Sequence, residues 1–413
     1  MSLIQFSYIR DFQKVTKTRE IRLNTTPKST IISIGNFYDF ISMPNSRRNC
    51  LPPGPAFYER QVLILRFLHT ADLHLGAVPD IGKPWSKERA EAVQASLRRI
   101  LHDAEERQVD LLLIAGDLFH RQPLRKELKE LNYQFSRLPR TRVVCIAGNH
   151  DYISDASPYR DYPWADNVTF LSSASLASVY FEDLETEVHG LSYHRPEIRE
   201  PLFDSCRAPA DGRIHILLAH GGDALHIPFR PSAFSGSGFR YVALGHIHQP
   251  QVYQEIPAAY PGSPEPLDRT DTGPRGYILG EITQKKTRLD WVPLSTVQYV
   301  PLEIPTDTSY TTAQILDAIR PQIEKHPQYI YRLHLTGFRD PEVTFDREQL
   351  EAAGRIVEVR DDTEPAFDLE ALAREHANDL IGHFIRALSS PGDPLRKKAL
   401  YCGLQALCST ENR

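Results

Sequence analysis

The chain has 413 residues, with 48 basic and 53 acidic side chains and a formal net charge of −5. That charge argues against a protein that coats nucleic acid through bulk positive charge, but it leaves room for a local basic groove. No apolar run reaches the roughly 18 residues that a membrane span needs. The five cysteines form no Cys-x-x-Cys pair and are odd in number, which favours a reducing, cytoplasmic compartment over a disulfide framework.

Residues 1–64 differ from the rest of the chain in charge. They carry nine Lys or Arg and four Asp or Glu, a net of +5, which leaves −10 for the remainder. The segment ends in a Pro/Gly-rich stretch, and the two methionines, Met1 and Met43, give no later internal start. We therefore expect 1–64 to be an N-terminal extension that is weakly ordered or an artefact of the start site. In the second case a non-ATG codon at Val62, Leu63 or Leu65 is the true start.

The next segment, 65–297, alternates strand-like and helix-like patterns. Short apolar runs that end at Gly or a polar residue predict strands at 62–70, 110–116, 142–148, 213–220 and 241–246. Amphipathic patterns predict helices at 87–108 and 124–138, and two later strands follow at 275–282 and 287–294. This order predicts an α/β fold in which a second sheet packs on the first.

The pattern changes near 298. A helix is predicted at 311–325, strands at 329–337 and 354–360, and a long helix at 368–388. Asp393 and Pro394 are suited to the cap and first position of a closing helix. We assign 298–413 to a small α/β capping domain with C-terminal helices.

Polar residues at the strand ends carry the chemical signal. Twelve of the 16 histidines lie between His69 and His248. Each of five successive predicted strands ends in, or is followed by, a carboxylate, an amide or an imidazole, namely Asp72 and His74, then Asp117 and His120, then Asn149, His150 and Asp151, then His220, then His246 and His248. Because sites in α/β sheets assemble at the carboxyl ends of strands, we expect these side chains to meet.

These residue types point to metal ions. Mixed oxygen and nitrogen ligands without thiolate suit borderline cations such as manganese, iron or zinc. Asp-x-His and His-x-His spacings put alternate residues on one side of an extended segment. Two Asp, one Asn and four His are too many for one ion, so the set predicts two ions about 3.5–4 Å apart with a bridging carboxylate.

The motifs, in this order, resemble those of the calcineurin-like metallophosphoesterases. The strings HTADLHLG, GDLFHR, GNHDY and LGHIHQP are similar to the DNA-repair exonuclease branch of SbcD- and YhaO-like proteins. The resemblance covers roughly 65–295 and implies a four-layer sandwich of two sheets flanked by helices. Phe119 and His120 after Asp117, together with GNHD, depart from the GDxxDRG and GNHE strings of Ser/Thr phosphatases.

The family pattern also implies roles for individual residues. One metal ion is expected on Asp72, His74 and His248. The other is expected on a set that includes a bridging carboxylate, namely Asn149, His220, His246 and Asp117. His150 would stabilise the transition state or protonate the leaving oxygen, and Asp151 would orient His150.

The same resemblance implies hydrolysis of DNA phosphodiesters by a water that two metal ions activate. Manganese is the expected metal, with iron or zinc as alternatives. The expected partners are DNA and an SMC-like coiled-coil ATPase subunit, with a homodimer as a further expectation. Two other functions stay open at this point: hydrolysis of cyclic nucleotides or other small phosphodiesters, and a scaffold that binds DNA or the ATPase with little activity of its own.

Several residues have two interpretations. His120 fits substrate contact or loop packing, and the basic residues Arg121, Arg125 and Lys126 fit phosphate contact or a solvated helix face. His69 fits a satisfied, half-buried histidine. Three histidines without a spacing partner favour structural roles, namely His189, His194 and His215.

Overall fold

The computed structural model describes residues 64–389 and 393–411. The predicted extension 1–64, apart from Ile64, lies outside the described residues, as do the start positions Val62 and Leu63. Within the described part, none of the helices combines the length and apolar character that a bilayer span requires.

The strands and helices are numbered in chain order. The strands are β1 (Leu65–Thr70), β2 (Leu111–Ala115), β3 (Arg142–Ile146), β4 (Val168–Phe170), β5 (Ala177–Phe181), β6 (Thr186–Gly190), β7 (Ile214–His220), β8 (Tyr241–Gly245), β9 (Gln251–Val252), β10 (Ala258–Tyr260), β11 (Gly276–Ile282), β12 (Thr287–Pro293), β13 (Tyr299–Thr306), β14 (Ile330–Arg339), β15 (Ile356–Asp361) and β16 (Glu364–Pro365). The helices are α1 (Ser86–Glu106), α2 (Arg125–Ser136), α3 (Thr312–Lys325), α4 (Arg347–Ala352), α5 (Leu369–Glu375), α6 (Leu380–Leu388) and α7 (Pro394–Glu411).

Two six-stranded sheets form the centre of the molecule. The first has the order β12-β11-β1-β2-β3-β4 and the second β5-β6-β7-β8-β10-β9. Strands β1 to β4 run parallel to one another, as do β6, β7, β8 and β10. Alternate residues of both sheets face a shared core that includes Phe67 and Leu113 on one side and Ile216 and Leu218 on the other. The predicted packing of a second sheet on the first is confirmed.

The outer faces of the two sheets are covered differently. Helix α1 buries Val93, Leu97 and Ile100 at helical spacing against the first sheet, and α2 lies on the same face. The second sheet is covered by residues 191–239, whose apolar side chains include Phe203 and Phe234. Helices and loops thus complete a four-layer sandwich, which confirms the predicted fold class.

A third, smaller sheet follows. It has the order β13-β14-β15, and β16 also pairs with β14. It begins at Tyr299, next to the boundary predicted between 297 and 298, and α3 and α4 pack on it. An ion pair of 2.7 Å between Arg355 and Glu88 joins this part to the start of α1.

The single long helix predicted at 368–388 is wrong. The segment forms α5 and α6, because the side chain of Asp379 accepts hydrogen bonds from the backbone N–H groups of Ile381 and Gly382 and so starts a new helix. The predicted start of the last helix is confirmed: the Asp393 carboxylate accepts from the N–H of Leu395 at 3.0 Å, and α7 begins at Pro394.

Candidate metal centre

The predicted ligands meet where β1, β2 and β3 of the first sheet end beside β7 and β8 of the second. Four of them have left-handed backbone conformations, with φ of 53° at Asp72, 45° at His74, 49° at Asp117 and 95° at His246. Such conformations are uncommon outside glycine and cluster at functional sites. The turns therefore aim these side chains into one place, and the surrounding fold stabilises the strain.

The first group of ligands consists of Asp72, His74 and His248. Their ligand atoms lie within 4.8 Å of one another, and the Nε2 atoms of His74 and His248 are 3.2 Å apart. Both oxygens of the Asp72 carboxylate also accept from the backbone N–H of His246, each at 3.0 Å. The structure therefore brings together the three residues expected for one metal ion.

The second group surrounds the amide of Asn149. Its Oδ1 lies 2.9 Å from Nε2 of His220 and 3.1 Å from Nδ1 of His246. Because His220 donates from Nδ1 to the carbonyl of Ala115 at 2.8 Å, its Nε2 is the nitrogen left for a metal. This group matches the second expected ligand set.

Asp117 lies between the two groups. Its Oδ2 is 3.7 Å from Nε2 of His74 and 3.4 Å from Nε2 of His220, so one oxygen faces both groups. Its Oδ1 accepts from the backbone N–H of His150 at 2.9 Å. This is the position that a bridging carboxylate requires.

Two glycines leave the room that this arrangement needs. A Cβ on Gly148 would lie 2.1 Å from Oδ1 of Asp117, and a Cβ on Gly116 would lie 2.4 Å from Nδ1 of His220. Gly116 also has a φ of 90°. The GD and GN strings therefore reflect close packing around the ligands as well as turn geometry.

The charges of the centre suit a cation. Burial lowers the pKa of His246 to about 4 and that of His74 well below its usual value, so both rings are neutral, as a metal ligand must be. Burial opposes the charge on His220, but Asp117 outweighs it and raises the pKa of His220 to about 9. The carboxylates thus hold a proton by the same attraction that would hold a metal ion, and the donor set fits divalent metals of the borderline class.

Two carboxylates outside the ligand set hold the histidines. Oδ2 of Asp223 lies 2.8 Å from Nε2 of His246, and Oδ2 of Asp271 lies 3.2 Å from Nδ1 of His248. Carboxylates in this position fix the tautomer and the ring orientation of a ligating histidine. Sequence reasoning missed both. Asp223 comes three residues after the predicted ligand His220, which could have drawn attention to it. The sequence around Asp271 contains no motif that points to a metal site.

His150 and His120 lie at the open side of the centre. Their rings stack with centroids 5.2 Å apart, and Nδ1 of His150 donates to the carbonyl of His120 at 3.2 Å. The His150 ring lies edge-on to His74, with centroids 4.7 Å apart. The structure therefore places His150 next to the ligands, and it brings His120 there as well, with Nδ1 3.3 Å from Nδ1 of His74.

Asp151 lies in a different place from the one expected. Its buried carboxylate accepts from the backbone N–H of Gly148 at 2.8 Å, from that of Phe119 at 3.2 Å and from the hydroxyl of Tyr159 at 2.9 Å. The expected contact with His150 is replaced by these bonds, because the carboxylate turns inward beneath the loop. Asp151 thus positions the Gly148 turn, and its burial raises its pKa to about 7.

Three of the remaining residues, Arg121, Arg125 and His69, have side-chain partners within the chain. Arg121 forms an ion pair of 2.7 Å with Glu127, and Arg125 one of 3.0 Å with Asp161. His69 is fully buried between the sheets, 2.8 Å from the hydroxyl of Tyr241. These contacts favour a structural role for His69, but the ring is fully buried where a half-buried one was expected, and its Nε2 has no hydrogen-bond partner among the described residues. The two arginines form their ion pairs at the surface.

Comparison with known proteins gives a consistent result. A family model of calcineurin-like phosphoesterases matches residues 65–250. The chain is 34% identical over 238 residues to the "Uncharacterized metallophosphoesterase YhaO" of Bacillus subtilis, a match that covers 53% of this chain and 58% of YhaO. It is 26% identical over 376 residues to the DNA double-strand break repair protein Mre11 of Methanopyrus kandleri, covering 81% of each. It is 27% identical over 260 residues to the SbcD component of the nuclease SbcCD of Escherichia coli K12, covering 52% of this chain and 64% of that protein.

Proposed function

We propose that the chain is a calcineurin-like phosphoesterase that acts as a metal-dependent exonuclease of DNA repair and hydrolyses DNA phosphodiesters. The match of residues 65–250 to the family model supports the proposal. One observation carries the proposal. A single carboxylate, Asp117, lies between two sets of nitrogen and oxygen ligands, with Oδ2 3.7 Å from His74 and 3.4 Å from His220. This is the donor arrangement of a two-metal phosphoesterase site.

We propose one metal ion for each of the two ligand groups. Three residues would hold one ion, namely Asp72, His74 and His248. Three others would hold the second beside the shared Asp117, namely Asn149, His220 and His246. When bound, such ions supply a nucleophilic water at neutral pH and positive charge beside the phosphoryl oxygens. Manganese is the metal that we propose, and iron or zinc is the alternative outcome of a metal analysis.

His150 is the proposed acid for the leaving sugar oxygen. Its Nδ1 is held by the carbonyl of His120, so Nε2 is the nitrogen free to exchange a proton. Its exposed position at the mouth of the centre suits contact with a polymer that approaches from solvent. His120 stacks on this ring, and we propose that it keeps the ring upright and contacts the DNA strand.

DNA as the substrate is supported by the relatives. One is named a DNA double-strand break repair protein and another a component of a nuclease. We also propose that the chain acts as a homodimer in the cytoplasm, together with an SMC-like coiled-coil ATPase. The name of the SbcCD nuclease, of which SbcD is one component, supports work within a larger complex.

The test is His150→Ala in the full chain, with end-labelled linear DNA as substrate and metal content measured in parallel. We expect DNA cleavage to fall about 10²- to 10⁴-fold, the usual contribution of a positioned acid or base, with both metals retained. His194→Ala is the matched control, because this exposed ring bonds to the carbonyl of Ser172. Cleavage at the normal rate with both metals bound would overturn the role of His150.

A second assay separates the substrate classes. The wild-type chain is given linear DNA, a cyclic nucleotide and a chromogenic diester at the same manganese concentration. Faster turnover of the cyclic nucleotide than of DNA would replace the nuclease with a small-molecule phosphodiesterase. DNA binding without hydrolysis of any of the three, with two metals bound, would indicate a scaffold.

A further inference from the structure

A second cluster of histidine and carboxylate lies on the outer face of the second sheet. In the register of β6 and β7, Glu187 is opposite His215, and His189 is the next residue on the same face. Their neighbours Val188 and Ile216 point to the core between the sheets, so the cluster points away from it. We propose that Glu187, His189 and His215 bind a third divalent metal ion, of the zinc class.

The distances fit one ion. Nε2 of His189 lies 3.0 Å from Nδ1 of His215, and Oε2 of Glu187 lies 3.7 Å from the same Nδ1. All three ligand atoms lie within 4.8 Å of one another. Tetrahedral zinc with bonds of about 2.0–2.2 Å holds its ligand atoms roughly 3.3–3.6 Å apart, so small side-chain movements suffice. Three protein ligands leave one position for water.

A second carboxylate prepares His215 for this role. Oδ1 of Asp211 lies 2.8 Å from Nε2 of His215, which fixes the proton on that nitrogen and turns the lone pair of Nδ1 toward His189. The carboxylate–histidine pair behind a metal is the usual support of a ligating imidazole. Without a metal, His189 donates from Nε2 to Nδ1 of His215. On metal binding the His189 proton would move to Nδ1 of the same ring, which frees the lone pair of Nε2 for the metal.

Solvent reaches the cluster from the side of Glu187 only, because the two histidines are buried. His215 is 2% exposed and His189 7%, with the Phe239 ring edge-on to His189, whereas the Glu187 side chain is 16% exposed. Ser178 donates to Oε1 of Glu187 at 2.6 Å and so aims Oε2 at the cluster. An ion can enter along Glu187 and be held by buried nitrogens.

Arg213 is the group that competes with a metal. Its NH1 lies 3.6 Å from Oε2 of Glu187, and its guanidinium also stacks over Tyr180 at 4.1 Å. The contact with Glu187 is a weak one, which a divalent cation would displace. Removing this arginine should therefore tighten metal binding, a result that a simple hydrogen-bonded histidine pair does not predict.

The cluster is separate from the catalytic centre. His215 and His220 lie on the same strand but five residues apart, which is about 17 Å along an extended chain. Binding at the outer cluster is therefore measurable without DNA cleavage. It is also independent of the proposed nuclease function.

The experiment counts metal ions in the full chain after chelation and reloading with zinc. The wild-type chain should hold one zinc more than His189→Gln, and His194→Gln should match the wild type. In an Asp117→Ala chain, where the catalytic centre is expected to lose its ions, one zinc should remain. Cobalt in place of that zinc should give the visible absorption bands of a tetrahedral site.

Two further variants separate a metal site from a structural histidine pair. Asp211→Asn should weaken zinc binding about 10- to 100-fold, and Arg213→Gln should strengthen it. Equal zinc counts in the wild type and in a folded His189→Gln chain would overturn the proposal. If His189→Gln does not fold, the zinc count of Glu187→Gln, a substitution at a partly exposed position, decides the question in the same way.

Discussion

The proposed catalytic centre and the outer cluster of Glu187, His189 and His215 use the same side-chain types on different backbones. The predicted ligands of the catalytic centre lie at or just after strand ends, and four of them have positive φ. The outer cluster lies on the regular strands β6 and β7, where none of its three residues has a positive φ. The first site is built on strained turns and the second on ordinary sheet pairing.

This difference sets how many ligands each site can gather. Five strand ends and the turns after them converge on one edge and bring seven predicted ligands together there, which is enough for the two proposed ions around Asp117. Two neighbouring strands present only the residues of one face, which is enough for one ion. The ligands on strained turns also depend on one another for their positions. A substitution of one ligand should therefore reduce metal binding more at the proposed catalytic centre than at the outer cluster.

The largest effect is expected for Asp117→Ala. This change removes the oxygen shared by both ligand groups, so metal content and DNA cleavage should fall together. The activity loss should be several kcal/mol of transition-state stabilisation, or about 10³-fold. Metal analysis and end-labelled DNA hydrolysis measure it. Asp161→Ala, which removes an exposed carboxylate paired with Arg125, is the control. Two bound ions in the Asp117 variant would contradict the bridging assignment.

The contrast between turns and strands also explains what the sequence predicted. Several ligands stand directly beside a glycine, as in Gly116 before Asp117 and Gly148 before Asn149, and these pairs form short motifs that can be recognised in the sequence. The fold class follows from the same alternation of apolar runs and amphipathic helices. Both signals depend on residues that are close in sequence.

The features that sequence reasoning missed all join distant segments. His189 and His215 become neighbours only through the register of β6 and β7, and Asp271 reaches His248 from the loop before β11. Asp151 was expected on His150, but its carboxylate accepts a hydrogen bond from the backbone of Phe119, 32 residues away. The hydrophobic periodicity of the sequence does not predict such contacts, because they form only when distant segments come together in the fold.

A smaller effect is expected for Asp223→Asn. The amide keeps the shape of the side chain but loses the charge that faces Nε2 of His246 at 2.8 Å. Metal affinity at the catalytic centre should fall about 10- to 100-fold, with the fold unchanged. Titration of the metal-free chain with manganese measures it. Asp290→Asn, an exposed carboxylate paired with Arg288, should leave the affinity unchanged. An unchanged affinity in the Asp223 variant would show that the strained turn alone orients His246.

The smallest effect is expected for Ser178→Ala at the outer cluster. Ser178 holds Glu187 by a cross-strand hydrogen bond of 2.6 Å between β5 and β6, and such pairs contribute about 0.2–1 kcal/mol. Zinc affinity, measured on the Asp117→Ala chain, should therefore weaken by no more than about fivefold. Ser175→Ala, whose hydroxyl bonds to Ser173, is the control. A 10- to 100-fold loss of zinc affinity, the size expected for Asp223→Asn, would contradict the comparison. It would mean that Glu187 cannot reach the metal without Ser178, so the ligands on regular strands would tolerate no more movement than those on strained turns.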